Sequence, residues 1–176
     1  MQSPPMRTVR VACKRYGPGR LPHADRHDIG AGYAAATAAL VATVLYATST
    51  SVGAVLFTDG NWIANMVFPL LAIPFVVPAA FLVGVAGWRL LPSYSTTTGI
   101  IAGVLGVIAT YLVTLILVGT LLTATAALSL SGAEPDAAAL FSVGLLSVAF
   151  YLTWWITVPV GCLSGLVYVN AVDAPR

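Results

Sequence analysis

Charged residues divide this chain into a polar N-terminal arm and four long uncharged runs. Residues 29–58, 60–88, 90–133 and 137–172 contain no Asp, Glu, Lys, Arg or His. Each run exceeds the roughly 20 helical residues that cross about 30 Å of hydrocarbon. The runs are apolar on every face and do not alternate as strands of a membrane barrel would. They predict four transmembrane helices, at about 29–57, 62–90, 97–130 and 137–169. Asp28 is the expected N-cap of the first, accepting from free amides of the opening turn. Thr58-Asp59-Gly60-Asn61 reads as a turn, Pro92 stops the second helix, and Ser131 to Asp136, with Gly132 and Pro135, forms another turn. The connections are short, so consecutive helices are expected to run antiparallel. The expected fold is an all-α integral membrane protein, an up-down-up-down four-helix bundle.

Composition supports this reading. Of 176 residues, 59% are hydrophobic and 8% charged, and the mean hydropathy is +0.91. A soluble domain carries about 25% charged residues; this chain has too few to cover a soluble surface. Soluble and nucleic-acid-binding classes are excluded on that ground. A cleaved signal peptide is not expected, because the first apolar run is longer than the about 7–15 residues of a signal core.

The distribution of charge sets an orientation. The arm, residues 1–28, carries Arg7, Arg10, Lys14, Arg15, Arg20 and Arg26, and Arg89 follows the second run. Asp59, and Glu134 with Asp136, mark the other connections. The positive-inside rule therefore places both termini in the cytoplasm of a cell-membrane protein, with acidic turns outside. The domain organisation is an arm (1–28), a membrane domain (29–170) and a short cytoplasmic tail (171–176). Within the arm, Met6, Val9, Cys13 and Tyr16 share one helical face beside Arg7, Arg10 and Lys14. A solvated basic tail is the favoured reading there, and an interfacial helix on anionic lipid the competing one.

Four features invite a chemical reading. Pro69, Pro74 and Pro78 fall in one span, where each removes a backbone donor. This is expected to bend the helix or open its ladder, either as a kink accommodated by small neighbours or as a broken helix lining a path. Gly99/Gly103 and Gly161/Gly165 form smooth patches that allow close backbone approach, to each other or to another molecule. Phe150, Tyr151, Trp154 and Trp155 cluster in the last helix, favouring helix packing over an aromatic wall for a hydrophobic ligand. His23 and His27 are spaced like metal ligands on a helix, but Pro22 and Arg26 make a solvated segment the favoured reading. Cys13 and Cys162 have no metal-type spacing and no expected disulfide.

What the spans lack narrows the function. They hold no ionisable group except at their ends, so proton relays, ion-coupled carriers and voltage sensors are disfavoured. No paired carboxylates, metal cluster, nucleotide loop or buried nucleophile–base pair is present, so no enzyme activity, cofactor, metal or catalytic residue is expected. The leading expectation is an accessory, assembly or structural component acting through helix–helix contacts in the lipid bilayer. Its partner, a membrane protein or a second copy, would dock on the Gly99/Gly103 or Gly161/Gly165 face. The alternative is a small oligomeric transporter or channel using the proline-interrupted second helix.

Overall fold

A computed structural model describes residue 22 and residues 26–58, 61–90, 96–128 and 134–172. The expectations for most of the arm, including Cys13, His23 and the Met6–Tyr16 segment, lie outside the described residues. So do those for Asp59 and Gly60, Pro92, residues 129–133 and the last four residues. Of His27, only the helical backbone is described.

All regular structure among the described residues is helical. Helix α1 covers His27–Gly53 and continues as one wider π-helical turn over Ala54–Thr58. Next come α2, Trp62–Leu71, α3, Ile73–Leu90, α4, Thr96–Ala127, and α5, Pro135–Val172. Four segments are long and apolar enough to cross a membrane: Asp28–Phe57, Ile73–Leu90, Thr97–Ala127 and Pro135–Val169.

The helix ends follow local chemistry. The Asn61 side chain accepts the Ala64 N–H at 3.2 Å and caps α2. Pro135 opens α5, because a first-turn position needs no N–H. Asp28 is not the cap expected of it. Arg26 holds that position without a side-chain bond, and Asp28 sits in the first turn, accepting its neighbour's N–H from Ile29 at 2.9 Å.

The second span is divided. Pro74 has no N–H for the Leu70 carbonyl, and the Phe75 amide reaches only three residues back to the Ala72 oxygen at 3.0 Å, sharing it with the ordinary four-back bond from Val76 at 2.9 Å. The helical ladder is therefore interrupted at Ala72, between α2 and α3. Three prolines within ten residues open the ladder at one point; elsewhere in α2 and α3, Pro69 and Pro78 are carried inside the helices.

Packing is by small residues. The buried apolar side chains are Ala31, Ala42, Ala47, Ala54, Ala79, Ala80, Ala126 and Val169, while Phe57, Phe68, Leu90 and Leu140 are exposed. Bulky groups point outward because lipid tails solvate them as well as a protein interior does, and backbones approach where side chains are small. The strongest pairings are α4 with α5 and α1 with α3; α3 meets α4, and α1 meets α5, along sparser seams. At the α4–α5 seam Gly99 lies against Gly165 and Gly103 against Gly161. A Cβ on Gly99 would come within 3.0 Å of the Gly165 carbonyl oxygen. At the α1–α3 seam a Cβ on Gly84 would fall 2.7 Å from the Ala31 carbonyl oxygen.

Candidate functional site

The small-residue interior leaves space between the helices. A cavity of about 1020 Å³ is lined by residues of all five helices. Along α4 the lining runs from Thr98 to Val118, about 30 Å of helix. The wall is mostly Ala, Gly, Val and Leu, and among the described residues it holds no Asp, Glu, Lys, Arg or His. Such a wall offers no charged side chain to offset a charged solute's loss of hydration.

The polar groups of the wall are hydroxyls. Most are spent on their own helices: Thr43 donates to the Ala39 carbonyl at 2.9 Å, Thr110 to Gly106 at 2.7 Å and Thr157 to Thr153 at 3.1 Å. Thr153 donates to Ala149 at 2.7 Å, which leaves its oxygen to accept from Tyr111 across the α4–α5 seam. Three hydroxyls differ. Ser164, half-buried on α5, makes no hydroxyl bond among the described residues. Thr114, 3% exposed, has a buried hydroxyl with no partner. Tyr46, half-buried on α1, makes no hydroxyl bond among the described residues.

Depth can be counted from contacts at one end. Arg89 donates to the Asp28 carboxylate at 2.7 Å, and Trp88 meets Tyr168 edge-on with ring centroids 4.6 Å apart. Counting along each helix from that end, Tyr46, Ala72, Thr114 and Thr153 all stand at about 22–27 Å. The interrupted ladder and the hydroxyls of Tyr46 and Thr114 therefore share one level of the cavity, while Ser164 stands about 6 Å from the Tyr168 level.

The structure sorts the features singled out in the sequence. The two glycine patches meet each other, so both faces are filled within the chain. The aromatic cluster of α5 does not line the cavity. Phe150 packs edge-on against Tyr111, with centroids 5.1 Å apart, but Tyr151, Trp154 and Trp155 are 75%, 51% and 52% exposed on the outer surface. The Trp155 indole donates to the Leu152 carbonyl at 2.7 Å, whereas Trp154 has no acceptor among the described residues. Cys162 is a free, half-buried thiol, and no group of three metal-ligating side chains occurs among the described residues.

Two contacts were missed in the sequence, although each left a signal there. Asp28 and Arg89 both fall at the end assigned to the cytoplasm by charge, so their pairing was available from topology alone. Ala80 and Gly84 are small residues four apart, as are Ala31 and Ala35, and the α1–α3 seam uses them as the α4–α5 seam uses glycine pairs.

No family model matches this chain, and neither the curated proteins nor the solved structures show one similar to it.

Proposed function

We propose that this protein is a non-enzymatic, multi-pass component of the cell membrane. It is an up-down-up-down four-helix bundle with both termini cytoplasmic, and it acts as an accessory or assembly subunit through helix–helix contact. The observation that carries this reading is the outward aromatic face of α5. Trp154 lies about 21 Å along the helix from the Tyr168 level, within the hydrocarbon and away from the interfacial belts where Trp usually resides. Its indole N–H has no acceptor among the described residues. In lipid such a donor is unsatisfied; a neighbouring transmembrane helix offering a hydroxyl or carbonyl at that depth would satisfy it. The glycine faces are occupied within the chain, so the partner docks on Tyr151, Trp154 and Trp155.

The test is native mass spectrometry of the protein extracted gently from its own membranes. A defined complex that is lost in Trp154→Leu supports the reading. Recovery of the variant and the wild type alike as free monomers overturns it, and a homo-oligomer makes the partner a second copy.

A second reading, a small transporter or channel, is favoured by the break at Ala72 beside the cavity. It expects uncharged solute flux in liposomes that falls in Pro74→Leu, where the Leu70 carbonyl regains a donor. Absence of flux across a broad solute panel removes it.

A further inference from the structure

We infer that the cavity is a binding site for one neutral long-chain lipid whose hydrogen-bond acceptor lies inside the hydrocarbon, as in a prenylated quinone. The inference rests on the cavity and is independent of what docks on the aromatic face. At about 1020 Å³ the space stands at the upper end of the about 300–1,000 Å³ typical of small-molecule sites. It extends along the helices, and its sides are apolar, so the matching shape is a chain. Among the described residues its wall has no charged side chain, so the occupant is neutral.

The depth of the Tyr46 and Thr114 hydroxyls selects among neutral lipids. Thr43, Thr110, Thr153 and Thr157 return their hydroxyls to their own helices, but the Thr114 hydroxyl, in a residue 3% exposed, has no partner. An unmade hydrogen bond of this kind in an apolar surrounding is costly. Tyr46 supplies a second hydroxyl at the same level, beside the interrupted ladder at Ala72. Both can donate. A fatty acid or alcohol keeps its oxygen at the headgroup layer, and so does a phospholipid. A ring carbonyl carrying a long tail brings acceptors to this depth and fills the rest of the slot with hydrocarbon. The sparser seams, α3 with α4 and α1 with α5, are the sides from which a lipid reaches it. Binding alone is inferred, with no redox step.

The test uses the full chain in phosphatidylcholine nanodiscs and two probes, a decyl-tailed benzoquinone and decylbenzene, which lacks the carbonyl oxygens. Binding is read by native mass spectrometry. The wild type is expected to hold the quinone at least tenfold more tightly than decylbenzene. In the near-isosteric double variant Tyr46→Phe, Thr114→Val that preference should disappear. Ala39→Phe, which fills the wall of α1, should lose both probes. Equal affinity of the wild type for the two probes overturns the inference, as does retention of phosphatidylcholine alone or undiminished quinone preference in the double variant. If Ala39→Phe misfolds, the double variant decides.

Discussion

The two helix pairs of this protein solve one packing problem differently. The α4–α5 pair consists of two uninterrupted helices whose glycines bring backbone against backbone at Gly99–Gly165 and Gly103–Gly161. The α1–α3 pair also closes on small residues, at Gly32 and Gly84, but α3 is only 18 residues long and is hinged to α2 at Ala72. The interrupted span is held to α1 by two polar fastenings, the Asp28–Arg89 ion pair at the far end of α3 and the Ser51 hydroxyl on the Trp62 carbonyl of α2, at 3.2 Å. A pair of continuous rods relies on fit along its length, with the Tyr111–Thr153 hydroxyl link as a polar side-chain contact across the seam. A pair with an interrupted member is fastened at both ends, since shape does not fix it over its full length.

The largest effect should come from spoiling the fit where neither helix can yield. Gly103→Leu drives a side chain into the Gly161 carbonyl. It should cost at least the roughly 1–3 kcal/mol of ordinary overpacking, read as a lower thermal midpoint in detergent. Gly106→Ala, one turn away with nothing within 4 Å of its added carbon, should be neutral or gain about 0.5–1 kcal/mol of helix stability. A similar loss in both would show that the α4–α5 contact is not specific. Gly84→Leu makes the matching insult at the other pair, 2.8 Å from the Ala35 side chain. Its loss should be smaller than that of Gly103→Leu, because α3 can pivot at Ala72. A larger loss would reverse the comparison.

The four spans were legible because charge is so rare here that each run is delimited by its neighbours. The start of α2 at Trp62 followed from Asn61, and the opening of the ladder from the three prolines. Where it opens was not legible. Pro69 and Pro78 remain inside helices, and only the competition for the Ala72 oxygen localises the break. The glycine patches were visible, but choosing between self-pairing and an outside partner requires knowing which faces meet. Nor does periodicity show that Phe150 turns in towards Tyr111 while Trp154 turns out. The cavity depended on convergence of Tyr46 and Thr114 from helices far apart in sequence, each an ordinary residue in its own span.

A more local effect tests the fastening at the end assigned to the cytoplasm. Arg89→Gln should raise hydrogen exchange in the first turns of α1 and leave α4 and α5 unchanged. The charge-swapped pair Asp28→Arg, Arg89→Asp should restore protection, and failure to do so would mean that Arg89 acts through orientation rather than through Asp28. The smallest change is expected from Tyr111→Phe. It removes the hydroxyl link to Thr153, for which interhelical bonds in membranes average about 0.6 kcal/mol. A thermal midpoint shift as large as that of Gly103→Leu would show that this link holds the rods as strongly as their fit does.

Helix α5 is 38 residues long, or about 57 Å. Transmembrane helices tilt by at most about 40° from the bilayer normal. At that limit α5 still rises about 44 Å, the thickness of the hydrocarbon together with both headgroup layers, about 40–45 Å. At any gentler tilt its tips stand in water on one side or both. The vertical position of the molecule is thus gauged by the two polar surfaces of the bilayer as well as by its oil, and the longest helix serves as the ruler against which the shorter, hinged ones are set.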